Sequence, residues 1–210
     1  MKNLIIIGAG GLAREIYDLA KICSQNETLF KIKGFLSKDD TGIEAMGYPK
    51  ILSTVIDYSV EENDCFFCAI GDVIVRKRVV ETIISKGGEF INLIHPTAIV
   101  SPSVKLGIGI GIKSHCVISS DVEIDSFSFL QSSVIMGHDV KIGKFCQINS
   151  FAFFAGYVKI NNNATINAGA KLLQNVVVEE QAIVGMGSVV ISKVKAGTTV
   201  FGNPAKRINF

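Results

Sequence analysis

The 210 residues include no tryptophan, four prolines and three histidines, and the apolar runs, such as Leu4 to Ile7, fall far short of a membrane span. The chain opens straight into a strand without the layout of a secretory signal, so a cytoplasmic protein is expected. Charge of one sign is missing too. Lys and Arg number 21 against 19 Asp and Glu and are scattered, leaving no electrostatic footprint for nucleic acid or an anionic membrane. The five cysteines, Cys23, Cys65, Cys68, Cys116 and Cys146, are odd in number and lack the dense spacing of a secreted disulfide scaffold. Cys65 and Cys68 form a C-x-x-C, but within the apolar run CFFCAI strand alternation sends the two sulfurs to opposite faces, which favours core packing over metal or redox chemistry. A chain that is 48% hydrophobic and 19% charged suits one or two compact domains.

What is present is a repeat. From Ala98, every sixth residue is small or aliphatic: Ala98, Val104, Ile110, Cys116, Val122, Ser128, Val134, Val140, Cys146, Ala152 and onward to Val194 and Val200. Two places after each stands a second series, from Val100, Leu106, Ile112 and Ile118 through Met136, Ile142 and Phe154 to Val190 and Ala196. No helix of period 3.6 produces this. A hexad is a short strand with two inward side chains and a corner, and three hexads close a triangular coil, so residues 18 apart stack as neighbours. At roughly 4.8 Å per stacked strand, six coils form a prism on the order of 29 Å tall.

The first ninety or so residues alternate strands with helices. Leu4 to Gly8 reads as a buried strand and Gly8-Ala9-Gly10-Gly11 as a turn into a helix bearing Ile16, Leu19, Ala20 and Cys23. Lys31 to Leu36 and Cys65 to Ile70 read as further strands, with a second helix containing Val75, Val79, Val80 and Ile83. The expected organisation is a Rossmann-like α/β domain over residues 1–93 and a parallel β-helix over 94–210. Gly8, Gly10 and Ala13 fit G-x-G-x-x-A between strand and helix, so amides at that helix start suit a phosphate. A dinucleotide fold needs a second nucleotide-binding half, which the hexads replace, so one nucleotide or nucleotide-linked ligand is expected rather than NAD.

Together the halves resemble the bacterial sugar O-acyltransferases of the sialic acid O-acetyltransferase type, hexapeptide-repeat acetyltransferases that include nucleotide-amino-sugar N-acetyltransferases. The resemblance rests on LIIIGAGGLAREI, AIGDVIVRKRV, HPTAIVSPSV, GHDVKIGKFCQI and VFGNPAKRI, and so covers essentially the whole chain. It implies a left-handed β-helix, a homotrimer, acetyl-CoA in grooves between neighbouring β-helices, and a sugar held partly by the N-terminal domain. It also implies a catalytic histidine at His138 in the G-H-D motif, with Asp139 tuning it.

The hexad count supports that place independently. His138 falls two residues after inward Met136, on a corner, and Gly156 takes the same slot one coil later, which leaves a shelf for a thin pantetheine arm. His138 is expected to act as general base on a sugar amine or hydroxyl, with a backbone amide such as that of Gly156 holding the oxyanion. An acyl-cysteine is disfavoured because Cys116 and Cys146 occupy inward slots. The resemblance places Asp72 and Arg76 of G-D-x-x-x-R in the sugar-nucleotide region, with the phosphate-suited turn of Gly8, Gly10 and Gly11. Lys206 and Arg207 carry charge that suits the CoA phosphates, the alternative being a basic tail that caps the last coil. Many members carry a second histidine nine residues after the first; Gln147 stands there and cannot titrate. Histidine after the Gly-Gly pair is replaced by Leu12, and a tight acidic pair after the second strand becomes Ser37-Lys38-Asp39-Asp40.

The expected acceptor is a nucleotide-linked amino sugar on the way to a bacterial surface glycan, with sialic acid or another glycan hydroxyl as the alternative. A γ-carbonic-anhydrase-like zinc enzyme needs three converging histidines. His95, His115 and His138 do not share a slot, so no metal is expected. A non-catalytic nucleotide-sensing module is the remaining alternative, separated from an enzyme by release of free CoA thiol.

Overall fold

The structure, a computed structural model, describes residues 1–26 and 30–208 and divides into two compact units, Met1–Leu93 and Ile94–Phe210. In the first unit β1 (Lys2–Ile7), α1 (Gly11–Asn26), β2 (Phe30–Leu36), β3 (Ile51–Ser53), β4 (Asp64–Cys68), α2 (Val73–Ser85) and β5 (Glu89–Phe90) follow in order. The strands form one parallel sheet in the order β3-β2-β1-β4-β5. Leu4 to Ile7 are buried without interruption, as a central parallel strand covered on both faces requires. α1 buries Ala13, Ile16, Leu19 and Ala20, the i, i+3, i+6, i+7 stripe of an amphipathic helix. β3 was not visible as a periodic segment; it is a three-residue edge strand held by its register with β2.

α2 departs from the expected apolar face. Val80 and Ile83 are buried, but Val75 is exposed and Arg76, read from the resemblance as a sugar-nucleotide residue, is 2% exposed. Its Nε donates to the Ile70 carbonyl at 2.8 Å and Nη2 to that of Gly71 at 3.3 Å, so the guanidinium folds back onto the turn that precedes the helix. Asp72 caps the same helix, its Oδ1 accepting from the amides of Ile74 and Val75, both at 2.9 Å.

The second unit is a parallel β-helix of two-residue strands in three sheets. Val117 pairs with Ile99 below and Ile135 above, and Ile124 with Leu106 and Ile142, which is the eighteen-residue winding. From Gly109 to Gly187 the corners close on a residue with φ near +60°, at His115, Asp121, Phe127, Ser133, Asp139, Phe145, Phe151, Tyr157, Asn163, Asn175 and Gln181 and at the glycines Gly109, Gly169 and Gly187. Both inward series form one continuous core from Ile110 to Val200. Burying one such side chain contributes about 1.5–3 kcal/mol, so the stack rather than any single short strand holds the coils. Inward Ser128 is satisfied by donating to the Gly143 carbonyl at 2.6 Å and accepting from the Cys146 amide at 2.9 Å.

The period fails at the last coil. Val194 pairs with Val178 and Val200 with Val184, each sixteen residues on, so Val194 takes the inward place expected of Ala196, which is exposed. The corner after Val190 is two residues shorter than the others, and a turn at Gly197, with φ +63°, restores the path. Lys206–Ile208 then folds back antiparallel on Thr199–Phe201.

Candidate active site

The corner of Gly137, His138 and Asp139 is shaped by the coil that follows it. A Cβ on Gly137 would lie 2.9 Å from the Gly156 amide nitrogen and 3.1 Å from the Phe154 carbonyl oxygen, so only glycine lets these coils stack. On this shelf the His138 side chain is 55% exposed, off the core as its hexad slot requires. His138 Nδ1 lies 2.8 Å from Oδ2 of Asp139, which sits at φ +59°. A carboxylate only accepts, so Nδ1 carries the proton of the neutral imidazole and Nε2 is left as the basic nitrogen.

Nε2 lies over Gly156. A Cβ built there would stand 2.8 Å from both Cε1 and Nε2, so any side chain at this position would occupy the space of the imidazole. The neighbouring amides of Ala155 and Tyr157 donate to Leu172 and His138, whereas the Gly156 amide has no acceptor among the described residues. A basic ring nitrogen, a bare glycine and a free amide therefore meet at one exposed corner. Tyr157 completes the group, its ring 5.0 Å from the imidazole and nearly perpendicular to it. Its place is set by the coil winding, nineteen residues from His138, and no local motif announces it.

Gln147 is not part of this corner. Its strand, Gln147–Ile148, belongs to a different sheet from Ile135–Met136, and its buried amide donates to Asn149 at 3.0 Å. Arg207 lines a groove of about 260 Å³ at the end of the β-helix with Lys193, Lys195, Ser192 and Thr198, while Lys206, next to it on the strand, does not. Lys193 pairs with Glu179 at 2.5 Å, and among the described residues no carboxylate lines the groove. The two added lysines escaped sequence reading because the shortened corner brings them there.

In the first unit, Gly8 adopts φ +110°, and a Cβ on it would lie 2.9 Å from the Ala69 carbonyl oxygen. The ends of β1 and β4 thus approach closely where the strand order reverses, the usual ligand crevice of an open parallel sheet. A Cβ on Gly10 would meet nothing within 4 Å and one on Gly11 only Arg14 Nη2 at 3.9 Å. Gly11 begins α1, whose first amides have no partner within the helix. Arg76 and Asp72 brace the adjoining turn. Thr41 Oγ1 donates to the Ala9 carbonyl at 2.9 Å and ties the glycine turn to the loop after β2. That loop borders a cavity of about 520 Å³ lined by Ser37, Lys38, Asp39, Asp40, Gly42, Glu44, Ala45 and Ile51, which no periodicity marked.

The remaining nucleophiles are quiet. Burial pushes the Cys65 thiol up to about 11 and that of Cys68 up to about 12, and burial likewise raises Cys116. His95 is held below the ordinary imidazole value, first by burial and then by nearby His115 and Lys113. Among the described residues no three His, Cys, Asp or Glu side chains are grouped to hold a metal ion, and no helix is long and apolar enough to cross a membrane.

Known proteins share this architecture. Residues 3–83 match the family described as the PglD N-terminal domain. The whole chain superposes on PerB from Caulobacter crescentus, solved with CoA and GDP-perosamine, with a TM-score of 0.90 at 26% identity over 100% of this chain and 98% of that one. The acetyltransferase domain of PglB from Neisseria gonorrhoeae FA1090, solved with acetyl coenzyme A, gives 0.89 at 26% identity over 99% of both chains. Over its whole length the chain is similar to hexapeptide-repeat sugar acetyltransferases, the family its sequence motifs resemble. Its β-helix is the left-handed one of that family. UDP-N-acetylbacillosamine N-acetyltransferase of Bacillus subtilis (strain 168) is 32% identical over 110 residues, 52% of this chain and 50% of that protein. The chain thus spans about half the length of that curated relative, and 24% of the length of another, the uncharacterized protein L142 of Acanthamoeba polyphaga mimivirus, at 29% identity over 125 residues.

Proposed function

We propose that this protein transfers an acetyl group from acetyl-CoA to the amine of a nucleotide-linked sugar destined for a bacterial surface glycan, with His138 as general base. The observation that carries the reading is an imidazole tied through Nδ1 to Asp139, with Nε2 above a glycine whose amide is free. The bare Gly156 gives a thioester room that a Cβ would fill. As the amine nitrogen attacks the acetyl carbonyl carbon, its proton passes to His138 Nε2, and the Gly156 amide holds the oxygen that becomes negative. When the carbon–sulfur bond breaks, the proton moves from Nε2 to the departing CoA sulfur. Asp139 stabilises the imidazolium between these steps.

Arg207, with Lys193 and Lys195, is the proposed cradle for CoA phosphate charge, while Lys206 does not line that groove. The turn of Gly8, Gly10 and Gly11 is the proposed phosphate site of the sugar nucleotide, braced by Asp72 and Arg76, with the neighbouring cavity after β2 taking the rest of the nucleotide. A homotrimer is proposed from the outward column of Ile99, Val117, Ile135 and Phe153. These apolar side chains are exposed beside the His138 corner, whereas the next face carries Lys105, Glu123, Lys141 and Lys159. Such a trimer faces different sheets of neighbouring copies toward one another. Use of acetyl-CoA fits a cytoplasmic enzyme.

Thiol release from acetyl-CoA, measured with UDP-, GDP- and dTDP-linked 4-amino sugars beside free sialic acid, tests the reading. Release with one amino sugar is expected, and His138→Ala should lower kcat by about 10²- to 10⁴-fold. Release with sialic acid alone would move the acceptor to a hydroxyl. Undiminished turnover by His138→Ala would remove the base.

A further inference from the structure

A single hydrogen bond between exposed groups leaves an imidazole free to pivot about that bond. Asp139 supplies one such contact to Nδ1, with both side chains open to water. The ring needs a second support if Nε2 is to stay over Gly156. Tyr157 supplies it, with ring centroids 5.0 Å apart and planes at 88°, an edge-to-face pair worth about 0.5–1.5 kcal/mol in other proteins. Its own backbone is anchored to the same corner, the Tyr157 amide donating to the His138 carbonyl at 3.1 Å.

The backbone at Tyr157 makes this choice of residue informative. The third corner position holds Asp121, Asp139, Tyr157 and Asn175 on successive coils, all with φ between +59° and +64°. Asp and Asn adopt that conformation readily; a bulky aromatic does not. Phe127 and Phe145, in the same conformation at another corner, stack on each other at 5.0 Å. Tyr157 has the imidazole as its ring partner instead.

We infer that Tyr157 is a positioning residue, whose ring, with the Asp139 carboxylate, clamps the His138 imidazole so that Nε2 stays over Gly156. The inference rests on the reading of His138 as the base, and it assigns Tyr157 no proton transfer and no contact with the reacting atoms. Removing one of two weak restraints should lower the fraction of correctly aimed imidazole by about two- to tenfold.

The test compares Tyr157→Asn and Tyr157→Phe in the full chain. Asn keeps the corner conformation, as Asn175 does one coil on, and Phe keeps the ring. Steady-state thiol release is measured together with ¹⁵N spectra of the imidazole nitrogens. Tyr157→Asn should lose about two- to tenfold in kcat with little change in KM for acetyl-CoA. Its Nδ1 and Nε2 resonances should move toward tautomer averaging, while Tyr157→Phe retains the parent kcat and spectrum. Parent-like resonances in Tyr157→Asn would overturn the inference, and so would a loss in Tyr157→Phe equal to that in Tyr157→Asn, which would assign the role to the hydroxyl. Failure of the base reading appears elsewhere, as full turnover by His138→Ala; the spectra still decide whether Tyr157 clamps the ring.

Discussion

Adding one methyl group at Gly156 is the sharpest perturbation the site allows. The new Cβ would meet His138 Cε1 and Nε2 at 2.8 Å, whereas non-bonded heavy atoms rest at about 3.5–4.0 Å. The backbone at Gly156 is outside the left-handed region, so alanine carries no conformational penalty there. Relief must come from the imidazole, which is exposed and can swing outward by about 1 Å, giving up its bond to Asp139. Misplacement on that scale costs on the order of 10²-fold in rate. Gly156→Ala should therefore lose about that much in kcat while its Tm falls by no more than about 2 °C. Gly137→Ala, in the stacked corner, should do the reverse in stability. Its Cβ would strike the backbone of Phe154 to Gly156, which cannot step aside, and overpacking of this kind costs about 1–3 kcal/mol. Thiol-release kinetics and a thermal melt on both variants decide the matter. A Gly156→Ala enzyme with kcat within twofold of the parent would refute the placement of Nε2 over that glycine.

Two further outcomes follow from the first unit. Arg76→Met keeps much of the buried volume but strips a donor from the Ile70 and Gly71 carbonyls, so chemical denaturation should show a loss of about 1–3 kcal/mol. Asp64 is buried, which by itself raises its carboxyl, but bonds from the Tyr58 hydroxyl, the Glu61 amide and Lys33 outweigh that and hold it below the usual value. The unfolded chain then takes up the proton first as pH falls. Stability from this group is full above about pH 4 and is lost as pH drops through the folded value, so urea midpoints should fall on acidification below pH 4. Asp64→Asn should flatten that fall, and an unchanged acid dependence in this variant would assign it to other carboxylates.

The β-helix was legible because its order is local. Each inward residue meets residues one coil away at fixed spacing, so a count by six reveals every column from Ala98 to Val190. The same count fails at Ala196, because the residue types still satisfy period six and only pairing of Val194 with Val178 shows the shortened corner. The burial of Arg76 was hidden for a related reason. Helical periodicity does not register the carbonyls left by the turn at Ile70 and Gly71, which repay that burial. The cavity after β2 depends on loop side chains that no period constrains.

The sequence by itself determined the two-part organisation, the columns of the coil core and the outward slot of His138, since these follow from spacing along the chain. The tertiary structure alone decided what His138 touches. Asp139 reaches Nδ1 because its corner turns through a left-handed φ, and Gly156 and Tyr157 arrive eighteen and nineteen residues later through the winding. A titrating group takes its chemical character from neighbours within a few ångströms, and in a coil those neighbours come from the next turn.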